Sequence, residues 1–489
     1  MNAARDPHSR WLLISPWLLW TAVGLYFVSN TLALTTERYL YSDGAHFFLR
    51  AITSLERWPL ATDVLHPRYL ADALNQSLLS LGLRLGITEL SVLKVLFGLP
   101  LFFGNTVALF VCYRVSRTQG LPWPFLVALG YYVVFAMPSE IFPVNEAMVT
   151  FWVAYFLLLL QVLNYQPQPF HWALGLILAG LLFLCHENVL FFAPFGLVAG
   201  WFAWVRGSAG KRSLVAVLTA GWAAAFGFVL VWQLTHPLAS LSSDYISLIK
   251  TVLNPLTVIR SNLFVSYSVL VCIVLLWLGQ KKHRHPVAMR GVARIVLRAL
   301  LVAHAIFLAL VFGLGLFNPE AEVMRRVLLT IGGVVVFGLV TGGVVWPSSF
   351  RLSPRTGNRI LAVVLLGLAS HSVLQIGNSL NWNELRSRVK ADLADHPGAI
   401  LDPVELGYTD RTVVGNRYSW SWTWPCFSMV VGESNEFRAL FLPLSSQEAF
   451  SVVAESRTVR FPFSEVGPST PTLTAEAFFE ARSGLEQRR

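Results

Sequence analysis

The chain has 489 residues, of which 55% are apolar and only 13% are charged, whereas an ordinary soluble domain carries about 25% charged residues. Its net charge is +10 and its mean hydropathy is +0.58. The apolar residues come in long runs rather than on periodic faces, which excludes a soluble fold, a disordered chain, collagen and a coiled coil. The composition therefore predicts a polytopic membrane protein.

Eleven transmembrane helices are predicted. The first is Trp11–Leu34, which has 24 residues without a charge and is long enough to span a bilayer. The others are expected at 95–113, 121–137, 145–163, 169–185, 188–205, 213–235, 262–279, 295–316, 327–346 and 359–376. Because eleven is odd, the two termini lie on opposite sides. We expect a multi-pass protein of a bacterial inner membrane with a cytoplasmic N-terminus and a periplasmic C-terminus.

The distribution of charge follows this topology. Of the 27 acidic residues, one lies in the segments assigned to the cytoplasm, 12 lie in loops on the opposite side and 14 lie in the C-terminal tail. Short basic loops such as Gln280–His285 mark the cytoplasmic side, as the positive-inside rule expects. The positive charge therefore indicates topology and not a nucleic-acid partner, and the acids on one face require a functional explanation.

Two regions outside the spans have predicted structure of their own. The outer loop 35–94 carries two amphipathic helices, Gly44–Trp58 and Tyr69–Leu85, which we expect to lie in the membrane interface. The tail, residues 377–489, is predicted to form a small mixed α/β domain outside the membrane. Its predicted elements are a helix at Asn381–His396 and strands at Ala399–Leu401, Tyr418–Trp424 and Ser428–Val431. The fold class is mainly α, with residues 1–376 as the transmembrane module.

Five polar motifs fall in the predicted outer loops. Their candidate site residues are Asp43 and His46; Glu140 and Glu146; His186, Glu187 and Asn188; Asp244 and Tyr245; and Glu320, Glu322, Arg325 and Arg326. Ionisable groups at membrane depth are costly and usually face a polar cavity or a partner. The motif at 186–188 is the sharpest case because apolar sequence flanks it on both sides. An ordinary polar turn at the interface would have the same sequence pattern.

These motifs predict one pocket at the outer face of the bilayer. Arginine binds phosphate with a planar bidentate fork, and a carboxylate can remove the proton of a hydroxyl as a new bond forms. Phosphate binding beside a base at the lipid surface suits the transfer of a group from a lipid phosphate to an alcohol.

The chain resembles the GT-C superfamily of integral-membrane glycosyltransferases. The resemblance rests on an acidic motif just after the first span, Tyr41–Gly44, on an outer loop with two interfacial helices, on the segment His186–Pro194 and on an outer C-terminal domain. It implies a polyprenyl-phosphate sugar donor and an inverting transfer to a hydroxyl acceptor of an envelope glycan, lipid or protein. Asp43 would be the general base, and Arg325 and Arg326 would bind the donor phosphate.

One residue departs from the family pattern. Many members have two adjacent acids at the first motif, whereas here Gly44 follows Asp43. A single acid argues against a metal ion that bridges two carboxylates at this motif. Arginine side chains can neutralise a phosphate leaving group without a metal ion. We therefore expect no essential metal or other cofactor.

Other functions remain open at this stage. The main alternative is a transporter or flippase for a lipid-linked or anionic substrate, although such proteins usually contain internal repeats and this sequence shows none. A transferase of phosphoethanolamine or acyl groups and a non-catalytic assembly subunit are further alternatives.

Overall fold

The computed structural model describes the chain in segments. They are residues 15–41, 43–53, 68–137, 144, 146–235, 322–345, 354–396, 399–401, 406, 408, 424–431, 439–441, 451–453, 458–460 and 473–474. The described part is mainly helical. The helices are α1 (Pro16–Thr35), α2 (Asp43–Thr53), α3 (Tyr69–Asn75), α4 (Ser77–Arg84), α5 (Leu90–Gln119), α6 (Trp123–Tyr131), α7 (Glu146–Val162), α8 (Pro169–Leu182), α9 (Val189–Arg206), α10 (Ala209–Thr235), α11 (Glu322–Val345), α12 (Pro354–Asp395) and α13 (Trp424–Val431).

Short strands follow α12. Strand β1 (Ala399–Leu401) pairs in parallel with β2 (Ala439–Phe441). Strands β3 (Ser451–Val453), β4 (Thr458–Arg460) and β5 (Leu473–Thr474) form a small antiparallel sheet. The strand predicted at 399–401 is therefore present, whereas the assembly of the tail into one domain stays a prediction.

Local sequence signals explain several helix ends. Helix α1 begins with Pro16, whose fixed φ and missing N–H suit the first helical turn. Helix α5 ends at Gly120, which adopts the left-handed conformation that glycine tolerates best. Helix α8 begins with a reciprocal cap between Gln168 and His171.

Five of the described helices are long and apolar enough to cross a membrane. They are α1, α5, α9, α10 and the part of α12 from Thr356 to Asp395. Shorter apolar helices are found at α6 with its π-helical extension Tyr132–Ala136, at α7, at α8 and at Leu329–Val345. These helices identify a membrane protein. The spans predicted at 262–279 and 295–316 lie outside the described residues, so the number eleven stays a prediction.

Three predicted elements differ from the structure. The span 359–376 and the helix Asn381–His396 form one continuous helix, α12, because its buried residues Trp382, Leu385 and Val389 keep helical spacing past the apolar run. The single helix predicted at Tyr69–Leu85 is divided at Gln76.

The strand predicted at Ser428–Val431 is wrong, because these residues end helix α13. Pro425 lies in the first turn of that helix, where proline is favoured. Phe427, Val430 and Val431 are buried at helical spacing. A short apolar run of this kind fits a strand or a buried helix equally well by sequence alone. The strand predicted at 418–424 lies outside the described residues, apart from Trp424, the first residue of α13.

Helices α9 and α11 form a closely packed parallel pair. The rings of Phe192 and Phe337 stack with centroids 4.8 Å apart and planes 4° from parallel. The backbone of Gly333 packs against the Phe192 ring. A Cβ atom at this glycine would lie only 2.5 Å from the Phe192 Cζ atom. At one end of the pair Thr330 donates to Asn188, and at the other Arg206 donates to the carbonyl groups of Val344 and Val345.

We call one end of the helical bundle the Glu187 end. It holds the last residues of α1 and α6 and the first residues of α7, α9 and α11. Arg38, just after α1, donates to the carbonyl oxygen of Gln375 at 3.0 Å. The Gln375 side-chain amide in turn donates at 2.8 Å to the carbonyl oxygen of Met137, which follows α6 and its π-helical extension. Gly332 of α11 packs on Phe135 near the end of α6.

The close contact at Gly333 gives a test of the packing. We expect Gly333→Ala to lower the free energy of unfolding by about 1–3 kcal/mol, because the added methyl group overlaps the buried Phe192 ring. Gly342→Ala is the matched control in the same helix, since a Cβ there meets no atom within 4 Å. Thermal unfolding of both variants in detergent measures the difference. Equal stabilities would contradict the α9–α11 packing.

Candidate functional site

The structure places six of the nine described site residues at helix starts. Asp43 is the first residue of α2 and His46 lies in its first turn, Glu146 is the first residue of α7, and Glu322, Arg325 and Arg326 open α11. His186, Glu187 and Asn188 form the turn between α8 and α9. Glu140, Asp244, Tyr245 and Glu320 lie outside the described residues.

The Glu187 carboxylate lies at the centre of a buried polar cluster. Only 1% of Glu187 is exposed, and its Oε2 atom accepts a hydrogen bond of 3.1 Å from Nε of Arg68. The Nδ1 atom of His186 lies 3.2 Å from the same oxygen and accepts the backbone N–H of Asn188 at 3.1 Å.

This cluster joins the loop between α1 and α5 to the helical bundle. The backbone N–H of Leu70 donates to the carbonyl oxygen of Leu184 at 2.8 Å, beside the Arg68–Glu187 ion pair. On the other side of the turn, the side-chain oxygen of Asn188 accepts a bond of 3.1 Å from the Thr330 hydroxyl. The turn is therefore attached to α3 and to α11 at the same time.

A second charged cluster surrounds Glu37, two residues after α1. The Glu37 carboxylate lies 3.2 Å from Nζ of Lys94 and 3.0 Å from Nη1 of Arg386. Lys94 is only 7% exposed, in the first turns of α5. Glu37 adopts a left-handed conformation with φ of 57°, which is uncommon outside glycine. One carboxylate thus connects the end of α1 to α5 and α12.

The segment between α1 and α2 is held on several sides. Arg38 is fully buried and donates to the carbonyl oxygen of Gln375 at 3.0 Å and the Ser379 hydroxyl at 3.1 Å. The Trp382 indole donates to the carbonyl oxygen of Thr36 at 3.1 Å. These contacts fix the backbone directly before Asp43 against α12.

Tyr39 is not a suitable proton acceptor in this segment. Burial raises the pKa of its phenol far above the usual value of 10, and the negative charge of Glu37 raises it further. The phenol therefore stays protonated at every physiological pH.

Gly44 has no room for a side chain. A Cβ atom at this position would overlap the backbone carbonyl oxygen of Tyr39. Backbone atoms cannot move aside as a flexible side chain can, so a second acid cannot follow Asp43 in this conformation. The backbone conformation at the start of α2 therefore requires glycine at position 44.

Contacts join the predicted motifs in two pairs. Val144, between Glu140 and Glu146 in the sequence, would lie 3.7 Å from a Cβ atom at Gly44. This contact brings the motif of Glu140 and Glu146 next to the motif of Asp43. The bond between Asn188 and Thr330 brings the motif at 186–188 next to α11, the helix that begins with Glu322 and contains Arg325 and Arg326. Both pairs belong to the Glu187 end.

The charged partners in these clusters were not among the residues predicted from the sequence; they are Arg68, Glu37, Lys94 and Arg386. A signal was present, because each is an ionisable residue within a few positions of an apolar segment, where a partner is usual. What the sequence lacked was the pairing. Lys94 is separated from Glu37 by 57 positions along the chain, and Arg68 from Glu187 by 119.

Metal-ligating residues do not gather in the part of the chain that the structure describes. No three His, Cys, Asp or Glu side chains there lie close enough together to bind one ion.

Comparison with known proteins identifies no relative. No protein family, no curated protein and no solved structure matches the chain.

The buried ion pair predicts an asymmetry between two substitutions. Arg68→Met should lower the free energy of unfolding by about 3 kcal/mol, because it leaves a buried carboxylate without its partner. Glu187→Gln should lower it by only about 1–2 kcal/mol, because the Arg68 side chain is 13% exposed and can reach water. The double variant should be more stable than Arg68→Met alone. Thermal unfolding in detergent measures all three, and strictly additive losses would rule out the pair.

The steric argument at Gly44 gives a further test. Gly44→Ala should lower the free energy of unfolding by about 3 kcal/mol, since the overlap involves backbone atoms of Tyr39. Gly130→Ala is the control, because a Cβ there meets no atom within 4 Å. The yield of monodisperse protein and its unfolding temperature measure the effect. A stable Gly44→Ala variant would show that α2 begins in a different backbone conformation.

Proposed function

We propose that the protein is an integral-membrane glycosyltransferase. It takes a sugar from a polyprenyl-phosphate donor and transfers it, with inversion, to a hydroxyl group of an envelope glycan, lipid or protein. The position of Asp43 carries the proposal. This acid opens α2 directly after a segment that Arg38 and Trp382 hold in place, at the bundle end where α9 and α11 begin.

In this proposal Asp43 is the general base. A carboxylate at a helix N-terminus is stabilised in its ionised form by the helix dipole, and the ionised form is the one that accepts a proton. The acceptor oxygen attacks the anomeric carbon of the sugar while its proton passes to Asp43. The bond from that carbon to the phosphate oxygen breaks, and polyprenyl phosphate leaves with the electron pair.

Arg325 and Arg326 bind the donor phosphate in this proposal. They lie five and four positions before Thr330 in α11, and Thr330 is bonded to Asn188. Guanidinium groups bind phosphate oxygens bidentately, and the N–H groups at a helix start add to the attraction. Two such charges neutralise the leaving group, so the reaction needs no divalent metal.

The roles of the remaining candidate residues differ. The carboxylate of Glu187 is already engaged by Arg68, so we assign Glu187, His186 and Asn188 to positioning the first loop against α11. His46 and Glu146, at the starts of α2 and α7, remain candidates for contact with the sugar. The Glu187 end faces the periplasm in this scheme, since the predicted acidic loops lie on that side.

The test compares donor cleavage in wild-type protein and Asp43→Asn. Protein in lipid is given a panel of polyprenyl-phosphate sugars with an acceptor extract, and released polyprenyl phosphate is measured with and without EDTA. Asp43→Asn should lower the rate by about 10²–10⁴-fold, because an amide cannot take the proton. EDTA should have no effect.

Glu89→Gln is the matched control. Glu89 is an exposed acid of the same loop that accepts a bond from Ser91, and glutamine keeps an accepting oxygen. Its rate should equal that of the wild type. A rate that survives Asp43→Asn in folded protein would contradict the assigned base, and a rate abolished by EDTA would contradict the metal-free reaction. Movement of an intact donor across vesicles without cleavage would favour a transporter.

A further inference from the structure

An apolar groove runs between α5 and α7, away from the proposed catalytic residues. Its volume is about 270 Å³, and the last turn of α3 closes one end of it. The walls are almost entirely hydrocarbon, with Pro100, Val107 and Val111 on α5 and Met148, Val153 and Phe156 on α7. Val107 is 62% exposed on the outside of the bundle, so the groove opens toward the surrounding lipid.

The two polar side chains in this wall differ in their hydrogen bonds. Asn105 accepts a bond of 2.8 Å from the Trp152 indole, which keeps that pair within the protein. Asn75 is 7% exposed, and its Nδ2 group is buried with no hydrogen-bond partner among the described residues. A buried amide donor without an acceptor costs about 1–3 kcal/mol. The groove therefore has one unsatisfied donor, at its α3 end.

The length of the groove matches one leaflet of a bilayer. From Pro100 to Val111 a helix rises about 16 Å, and half of a typical hydrocarbon core is about 15 Å. Asn75 ends α3, a short helix of the first loop next to the Glu187 end. With the membrane surface at the Glu187 end, the donor lies at the level where a membrane lipid changes from hydrocarbon to ester groups.

We propose that this groove binds one acyl chain of a membrane glycerophospholipid, and that the Asn75 amide turns from its buried position to donate a hydrogen bond to the ester carbonyl of that chain. A volume just below the usual range of small-molecule pockets suits a single chain, leaving the second chain and the headgroup outside. The bound lipid fills the gap between α5 and α7 and satisfies the Asn75 donor. This site is independent of the proposed transferase activity.

Lipid binding to purified protein tests the proposal. Delipidated protein is titrated with palmitoyl-oleoyl phosphatidylethanolamine, and native mass spectrometry counts bound lipids. Gly104→Leu fills the groove, because Gly104 lines it and a Cβ there meets no atom within 4 Å. We expect about tenfold weaker binding or more. Gly24→Leu is the matched control on the lipid-facing side of α1, with equal free space, and should bind as the wild type does.

The diether analogue of the same lipid tests the carbonyl contact. It lacks ester carbonyls and should bind the wild type about 2- to 10-fold more weakly than the diester. Asn75→Leu should bind both lipids equally and, without lipid, should be at least as stable as the wild type. Val107→Trp is a second groove-filling variant should Gly104→Leu fail to fold.

Three outcomes would overturn the proposal. Undiminished binding in both groove-filling variants would place the lipid elsewhere. Equal binding of the diester and diether lipids by the wild type would remove Asn75 from the site. Retention of polyprenyl phosphate in preference to the phospholipid would assign the groove to a different lipid. None of these results depends on catalytic turnover, so failure of the transferase proposal leaves the test intact.

Discussion

Charged groups that are buried at the Glu187 end of the bundle need partners within the protein, because burial removes their water, and the pair between Arg68 and Glu187 shows the consequence most clearly. Glu187 lies between two apolar helices and is almost completely buried. An isolated carboxylate there would cost several kcal/mol. The ion pair with Arg68 attaches the loop between α1 and α5 to the turn before α9. The hydrogen bond between Thr330 and the neighbouring Asn188 attaches α11 to the same turn. The buried ion pair and the neighbouring Asn188–Thr330 bond together bring three separate segments into contact.

The same constraint operates around Glu37, with a different geometric result. Here one carboxylate receives two cations, Lys94 and Arg386, from helices far apart in the sequence. Arg38 next to it uses backbone and hydroxyl oxygens of α12 as acceptors instead of an acid. The backbone between α1 and α2 is therefore fixed by polar contacts on several sides, and this is the positional constraint that the proposed role of Asp43 requires.

The sequence predicted the membrane class and most of the described helices, since hydropathy reports directly on burial in lipid. It could not predict that α12 continues for 42 residues, because loss of hydrophobicity marks the end of a span and not the end of a helix. It identified Glu187 as unusual but missed Arg68, since pairing across 119 positions depends on tertiary structure. The helix at Ser428–Val431 was mistaken for a strand because four apolar or small residues carry no distinguishing period.

Gly44 connects the backbone geometry to the chemistry proposed for this end. If a second acid stood at this position, two adjacent carboxylates would favour a bridging cation, as hard oxygen ligands do. The carbonyl oxygen of Tyr39 occupies the space where that side chain would begin, and the same carbonyl belongs to the segment held by Arg38 and Trp382. The contacts that hold the segment before α2 against α12 therefore also restrict this position to one acid. In the proposed reaction the positive charge then comes from side chains, and the arginines at the start of α11 are the residues assigned to supply it.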